Sequence, residues 1–461
     1  MLLLALLALA AALPAQAAHA SATQVMTFEA PRELLDESTR DATLDEIKGF
    51  GVDRVRALVY WRQFAPGATS RRRPSFDATN PDAYPPGTRD RLDHLLDATE
   101  ARGMTVQLTL TGPVPKWATR ARRDYRTNPV PKLFGQWVTA VARRYGPRVD
   151  LWSVWNEPNQ PQFLRPQFKR GRPASPALYR RLYVAAEKAL HGVPGGAGDT
   201  VLFGETSPVG NVHIVSPLAF MRGALCLDAQ WHKRAGCRKL RIDGYAHHAY
   251  TKRMGPSYHS ADPDEVNIGT LDRLVRALNR AARAGAIARG RDIYLTEFGI
   301  QSLPDRIAGV SFSRQAEYLA ISERIAYANP RVKAFSQYLM RDDAARKHAS
   351  RAERYAGFES GLRRHDGKAK PSYRGFAVPL AVSAYGRSDV LWGRVRPARG
   401  VTEVTVEYKR RGKPWRRLTA TQTNAQGIFG LRSDHRDGQH YRIRWTRPDG
   451  SALVGPAIRA Y

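Results

Sequence analysis

A chain of 461 residues is long enough to bury more than one core, and its 43% hydrophobic and 25% charged residues exclude a disordered polymer and a multispanning membrane protein. Its formal net charge of +31, from 73 Lys plus Arg against 42 Asp plus Glu, should draw it toward anionic polymers, acidic polysaccharide among them. The cations are spread along the chain with 71–73 and 409–411 as compact runs, and no zinc-finger spacing or aromatic-interleaved basic motif accompanies them, so the charge reads as a solvated arginine-rich surface and not as a nucleic-acid interface.

Residues 1–20 open on the apolar run Leu2-Leu3-Leu4-Ala5-Leu6-Leu7, and 15–17 and 18–20 both fit a small-x-small cleavage pattern. That reads as a secretory signal peptide, and the mature protein is expected outside the cell or in its envelope. No Lys or Arg precedes the run, which keeps an uncleaved anchor as the alternative. No later segment is apolar over the length a bilayer needs.

From residue 21 to about 382, β-branched runs alternate with longer amphipathic stretches, the pattern of repeated βα units on a parallel sheet. Strands are predicted at 24–28, 54–60, 105–110, 150–155, 200–204, 242–247, 293–296 and 334–339, with helical stretches such as 89–102, 132–145, 175–191, 270–284 and 313–328 between them. Eight such strands predict a (β/α)8 TIM barrel, whose chemistry gathers at the strand C-termini. Between the fifth and sixth strands stand the two cysteines of the chain, Cys226 and Cys237, in a loop-rich stretch. In an exported protein that spacing suits a local disulfide, contributing at most about 3 kcal/mol; a metal site would need ligands beyond the intervening His232. Residues 383–461 switch to short alternating segments separated by Gly, Pro and Asp turns, which predicts a small C-terminal β-sandwich that either binds carbohydrate or braces the barrel.

The strand tips carry polar and aromatic residues where the barrel rule wants them. The second strand holds Arg56 and runs out at Tyr60-Trp61-Arg62, and the third is followed by Lys116-Trp117. The fourth ends in Trp155-Asn156-Glu157-Pro158-Asn159 and the seventh in Thr296-Glu297-Phe298-Gly299. Glu157 and Glu297 on opposite strands make the carboxyl pair of glycoside hydrolysis, one group protonating the leaving oxygen and the other facing the sugar ring. Alone, the Asn-Glu-Pro run also suits the first turn of a helix, and Glu297 alone also suits a salt-bridged strand end. Glu205 reads as a supporting group behind the site. His247 and His248 must point to opposite faces of their strand, one entering the site and one packing behind it. No metal or cofactor is expected.

Trp155-Asn156-Glu157-Pro158 after a fourth strand and Thr296-Glu297-Phe298-Gly299 after a seventh resemble the clan A retaining glycoside hydrolases. Gly51-Val52-Asp53-Arg54-Val55-Arg56 with Trp61, and His248-Ala249-Tyr250, are similar to further segments of cellulase-like members. The texture is closest to the family thirty-nine branch of β-xylosidases, α-iduronidases and exopolysaccharide hydrolases. The resemblance implies that Glu157 is the general acid/base, Glu297 the nucleophile and Asn156 the holder of the sugar 2-hydroxyl, with Arg56 and Tyr250 flanking the nucleophile. The eighth strand departs from the clan, reading Phe335-Ser336-Gln337-Tyr338 where a tryptophan is usual, so Tyr338 or Gln337 stands in for that ring. Trp61, Trp117 and Tyr338 are expected to stack on sugar, with packing roles as their alternative.

A secreted glycosidase acting by double displacement on a poly- or oligosaccharide is the function these residues predict. A noncatalytic envelope polysaccharide-binding protein and a transglycosylase using the same site are its rivals.

Overall fold

Val25–Glu29, Arg54–Tyr60, Thr105–Thr111, Leu151–Val154, Thr200–Thr206, Gly244–His247, Asp292–Leu295 and Val332–Tyr338 form strands β1 to β8. Their Val, Leu, Ile and Thr side chains suit a pleated surface covered on both faces, and β4 is buried at every position. In the computed structural model, which describes residues 20–21, 23–251, 253–398 and 400–460, they close into a barrel in sequence order with each neighbour parallel. The expected signal peptide lies outside the described residues but for its last position, residue 20.

Eight helices of seven residues or more cover the barrel or cross between its strands within the described residues. One of them, Ser175–His191, shows why: Leu178, Tyr179, Leu182, Tyr183, Ala186 and Leu190 recur at helical spacing and are all buried. Proline in the first turn begins the helices Pro131–Tyr145, Pro217–Ala224 and Pro371–Ala377, where its missing N–H costs nothing. Two boundaries differ from expectation in ways that matter to the site. β1 runs one residue further and places Glu29 at its tip. β5 runs on through a register shift between Gly204 and Thr206 that turns Glu205 to positive φ.

Loops at the strand C-termini are long where the site needs walls. The one after β4 folds into a hairpin, Phe168–Lys169 against Arg172–Pro173, turning through Arg170 and Gly171 at φ 51 and 71; positive φ at both turn positions matches the twist of a tight hairpin. Cys226 and Cys237 are joined in a disulfide, with Cα atoms 6.2 Å apart, in the loop that leads into β6 at the opposite end of the barrel.

Beyond the helix Pro371–Ala377 the chain forms two antiparallel sheets. Leu380–Tyr385 (β9), Ser388–Arg394 (β10) and Ile428–Asp434 (β13) make one; Glu403–Lys409 (β11), Arg416–Gln422 (β12), His440–Thr446 (β14), Ala452–Val454 (β15) and Ile458–Arg459 (β16) make the other. Val404 and Val406 of β11 and Tyr441, Ile443 and Trp445 of β14 alternate into the space between the sheets, as a sandwich requires. That core is continuous with the barrel's through Phe376, Val378 and Leu380. The seam also carries charge: buried Arg396 donates to Glu323 of the helix Phe312–Tyr327 at 2.9 and 2.6 Å, and Arg394 joins it at 3.1 Å.

Candidate active site

Arg56 sits mid-strand on β2, and because successive side chains alternate, its guanidinium points into the barrel mouth on the same face as Leu58 and Tyr60. It is wholly buried, and its five N–H groups are all engaged. Nε donates to Thr109 at 3.0 Å. One Nη donates to Glu29 and, at 3.0 Å, to Glu297; the other donates to Asn156 Oδ1 at 3.0 Å and Glu205 at 2.9 Å. A rigid fork with five donors suits such a hub in a way an ammonium would not. With Oδ1 of Asn156 held by Arg56, its Nδ2 is the donor left for a ligand hydroxyl.

His248, at the tip of β6, is the second hub. Its Nε2 lies 2.6 Å from Glu205, and its Nδ1 lies 3.0 Å from Glu157 Oε1 and 3.7 Å from Glu297 Oε2. Burial opposes charge on the imidazole, but Glu297, Glu157 and Glu205 together outweigh it and push its pKa up to about 10. Burial likewise opposes ionisation of Glu205, yet Arg56 and His248 hold that carboxyl down at about 2. Glu205 also accepts from Thr296 at 3.0 Å. It is a permanent anion between two cations.

Glu157 and Glu297 differ in their surroundings. Burial is the main influence on Glu157 and raises its pKa, assisted by the charge of Glu297 and opposed by His248 and Arg56. Gln160 donates to its other oxygen at 3.0 Å. Glu297 accepts from the Tyr250 hydroxyl at 2.8 Å and from Arg56, a set of donors suited to an anion. One oxygen of each carboxyl and a nitrogen of His248 all lie within 4.8 Å of one another. Trp155, Glu157, Glu205 and Leu339 hold φ of 69, 50 or less, and 78 between them: 69 at Trp155, 40 at Glu157, 50 at Glu205 and 78 at Leu339. Positive φ in four non-glycine residues at the tips of β4, β5 and β8 is backbone strain gathered at one end of the barrel, a recurring mark of functional sites.

Glu157, Glu297, Asn156, Arg56, His248 and Tyr250 therefore converge as their motifs suggested, and Tyr338 stands beside them. Burial raises the Tyr338 phenol pKa, with the charges of Glu297 and Glu29 adding to it. Gln337 faces away, its amide donating to the carbonyls of Tyr338, Leu339 and Ser360. His247 packs behind, between Thr206 and the carbonyl of Val266, and burial drops its pKa to about 4.

Trp61 and Trp117 do not join the site. Trp61 lies one step past Tyr60 and so leaves the inward face; it stacks on Trp137 at 5.6 Å, and Trp117 meets it edge-on at 5.7 Å. Both are buried, and neither offers a ring face to a sugar. Glu29 and Gln160 are the members that motif reading missed. Burial raises Glu29 to about 7 against the pull of Arg56; the one available signal was a carboxyl directly after an apolar strand, at a barrel tip.

The cluster of Glu157, His248 and Glu297 has the spacing of a cation site. Its donor set argues otherwise, because an imidazole held protonated by three carboxylates presents an N–H where a metal needs a lone pair.

No protein-family model matches the chain, and no curated protein matches it. Solved structures do. It is similar to a family 39 glycoside hydrolase from the gut symbiont Bacteroides cellulosilyticus WH2, with TM-score 0.52 and 16% identity over 92% of this chain and 81% of that one. A monomeric beta-xylosidase from Caulobacter crescentus CB15 gives 0.51 and 16% over 93% and 97%, and GH5_18 from Streptomyces cattleya, solved with GlcNAc, gives 0.51 and 19% over 77% and 79%. The fold of this chain, barrel and β-sandwich together, is one that family 39 glycoside hydrolases use.

Proposed function

We propose that the protein is a retaining glycoside hydrolase in which Glu297 is the nucleophile and Glu157 the acid/base. The observation that carries this reading is the approach of the two carboxyl groups, whose nearest ligand oxygens lie within 4.8 Å. Retention needs carboxyls roughly 5 to 5.5 Å apart, whereas inversion needs about 6.5 to 9.5 Å to admit a water between acid and base.

In the first step a carboxylate oxygen of Glu297 bonds to the anomeric carbon as the bond to the leaving oxygen breaks, and the proton of Glu157 passes to that oxygen. Forming the ester removes the negative charge of Glu297, one of the influences that raise Glu157. The pKa of Glu157 then falls, and as a carboxylate it takes a proton from a water whose oxygen bonds to the same carbon as the ester bond to Glu297 breaks and frees that carboxylate. Arg56 and Tyr250 donate to Glu297 and hold it aimed, while Asn156 offers its amide to a hydroxyl of the bound sugar. Export to the cell envelope or beyond belongs to the same reading, supported by the apolar N-terminal run and by a disulfide, which persists in oxidising compartments.

A panel of nitrophenyl glycosides tests the proposal, starting with the β-xyloside because one similar structure is described as a beta-xylosidase. Proton NMR of the first product should show the anomeric configuration of the substrate, and Glu297→Gln should remove turnover by about 10⁴-fold or more. An inverted first product, or an active Glu297→Gln, refutes the assignment.

A further inference from the structure

We propose that the protein carries an anion-binding carbohydrate subsite on the β3 and β4 loops, and that its polymer substrate bears carboxylate or sulfate groups. This rests on the glycosidase reading and extends it to substrate class. The site is a cavity of about 470 Å³ lined by Arg120, Lys169 and Arg181 together with Pro166, Phe168 and Leu178. Cations on one side and apolar carbon on the other match an acidic sugar, whose ring offers C–H faces and whose substituent offers negative charge.

Three observations tie this cavity to the loops that carry the reacting groups. Its walls grow from the strand tips that hold the reacting groups: Arg120 lies in the loop after β3, and Phe168 and Lys169 lie in the hairpin after β4, the strand that ends at Glu157. The two loops are fastened together, Asn128 N–H donating to the Arg165 carbonyl at 2.8 Å and Arg165 N–H to the Arg126 carbonyl at 3.1 Å. Gln167, beside the hairpin, donates to the carbonyl of Pro158, the residue after Glu157, at 2.9 Å. Since Glu157 is assigned to protonate the leaving oxygen, the proposal seats the departing part of the chain against this wall.

Charge around the barrel mouth is lopsided. Residues 61–87, 112–130 and 158–174, in the stretches after β2, β3 and β4, hold thirteen Lys and Arg against three acids. Those three acids are occupied locally, Asp77 with Thr79, Asp82 with Arg89, and Asp124 with Arg126 and Thr127. Across the mouth, residues 207–216 and 248–267 hold two cations against three acids, and residues 339–370, the loop after β8, hold nine against five. Among the described residues none of Arg120, Lys169 and Arg181 has an ion-pair partner, and all three are exposed. Unpaired cations around an apolar cleft leave an anion as the missing partner.

The test uses the full chain and four polymers: polygalacturonate, its carboxyl-reduced neutral form, dextran sulfate and single-stranded DNA. A triple variant, Arg120→Glu, Lys169→Glu and Arg181→Glu, is compared with a control of equal charge change on the β11–β12 turn, Arg410→Glu, Arg411→Glu and Lys413→Glu. The expected result is binding of polygalacturonate or dextran sulfate that weakens with salt, loses about tenfold or more in the cavity variant and much less in the control. The more tightly bound of the two polymers assigns carboxylate or sulfate. Turnover of a small neutral aryl glycoside should stay within about twofold in the cavity variant, whose residues lie outside the reacting cluster. Equal losses in both variants, equal binding of the neutral polymer, or DNA binding as strong as that of the best polysaccharide overturns the subsite. Absence of aryl-glycoside turnover in the wild type instead refutes the hydrolase reading and leaves the binding comparison intact.

Discussion

Glu29 and Glu205 are both wholly buried against Arg56, and the difference between them is their second neighbour. Glu205 has a direct hydrogen bond to His248 as well and is held down at about 2; at Glu29 burial prevails, with the charge of Glu297 adding to it, and the carboxyl rises to about 7. The folded-state pKa of Glu29 therefore lies above its unfolded value. Its stabilising contribution is fully present below the ordinary carboxylate range and is lost as pH rises through about 7, because the unfolded chain gives up the proton first. Glu29→Gln lacks that titration. The stability of the wild type relative to Glu29→Gln should fall by roughly 3 kcal/mol or less between about pH 4.5 and 7, read from denaturant midpoints at a series of pH values; a constant difference would contradict the assignment. The charge pattern at this scale was partly legible. Paired acids on the fourth and seventh strands stand out because chemistry demands them together, whereas a single Glu after Val-Met-Thr-Phe has no spacing to flag it. Trp61 and Trp117 were misplaced for a complementary reason. An aromatic at a strand tip can face the mouth or the helices, and only the alternation running from Arg56 through Tyr60 decides which.

Among elements, the barrel strands were readable because β-branched runs bounded by turn residues recur eight times, and the helices because their apolar residues repeat at helical spacing. Their ends were less so. β1 and β5 extend past the apolar residues that announce them, and both extensions carry a carboxyl of the site. The long β4 loop had no periodic signal, since a six-residue hairpin built on Arg-Gly at positive φ is decided by turn geometry and not by pattern. The Cys226–Cys237 loop joins the helix Pro217–Ala224 to β6 and so lies at the end of the barrel away from the site. Cys226→Ser with Cys237→Ser should lower unfolding stability by at most about 3 kcal/mol and leave kcat/KM within about twofold. A large kinetic loss would mean that the loop reaches the mouth.

For the whole molecule, the decisive element is the helix Phe312–Tyr327, which serves two layers. One side packs on the barrel; the other meets Ala381, Trp392 and Ile428 of the sandwich through Ala320 and Ile321. Glu323 on this helix is buried with Arg394 and Arg396. Glu323→Ala strands a fully buried Arg396 without its partner and should cost roughly 3 to 5 kcal/mol, shifting one cooperative calorimetric transition to lower temperature; an unchanged barrel transition with a separate sandwich transition would show the two units to be independent. The shared helix also sets an order in time. A ribosome delivers the barrel's last strand before the sandwich strands, so a nascent barrel carries Ala320, Ile321 and the Glu323 carboxylate bare until residues 381–428 have been made. A chain released before those partners are made presents an apolar stripe with a lone buried-type acid at its centre, the kind of surface that chaperones hold and proteases clear.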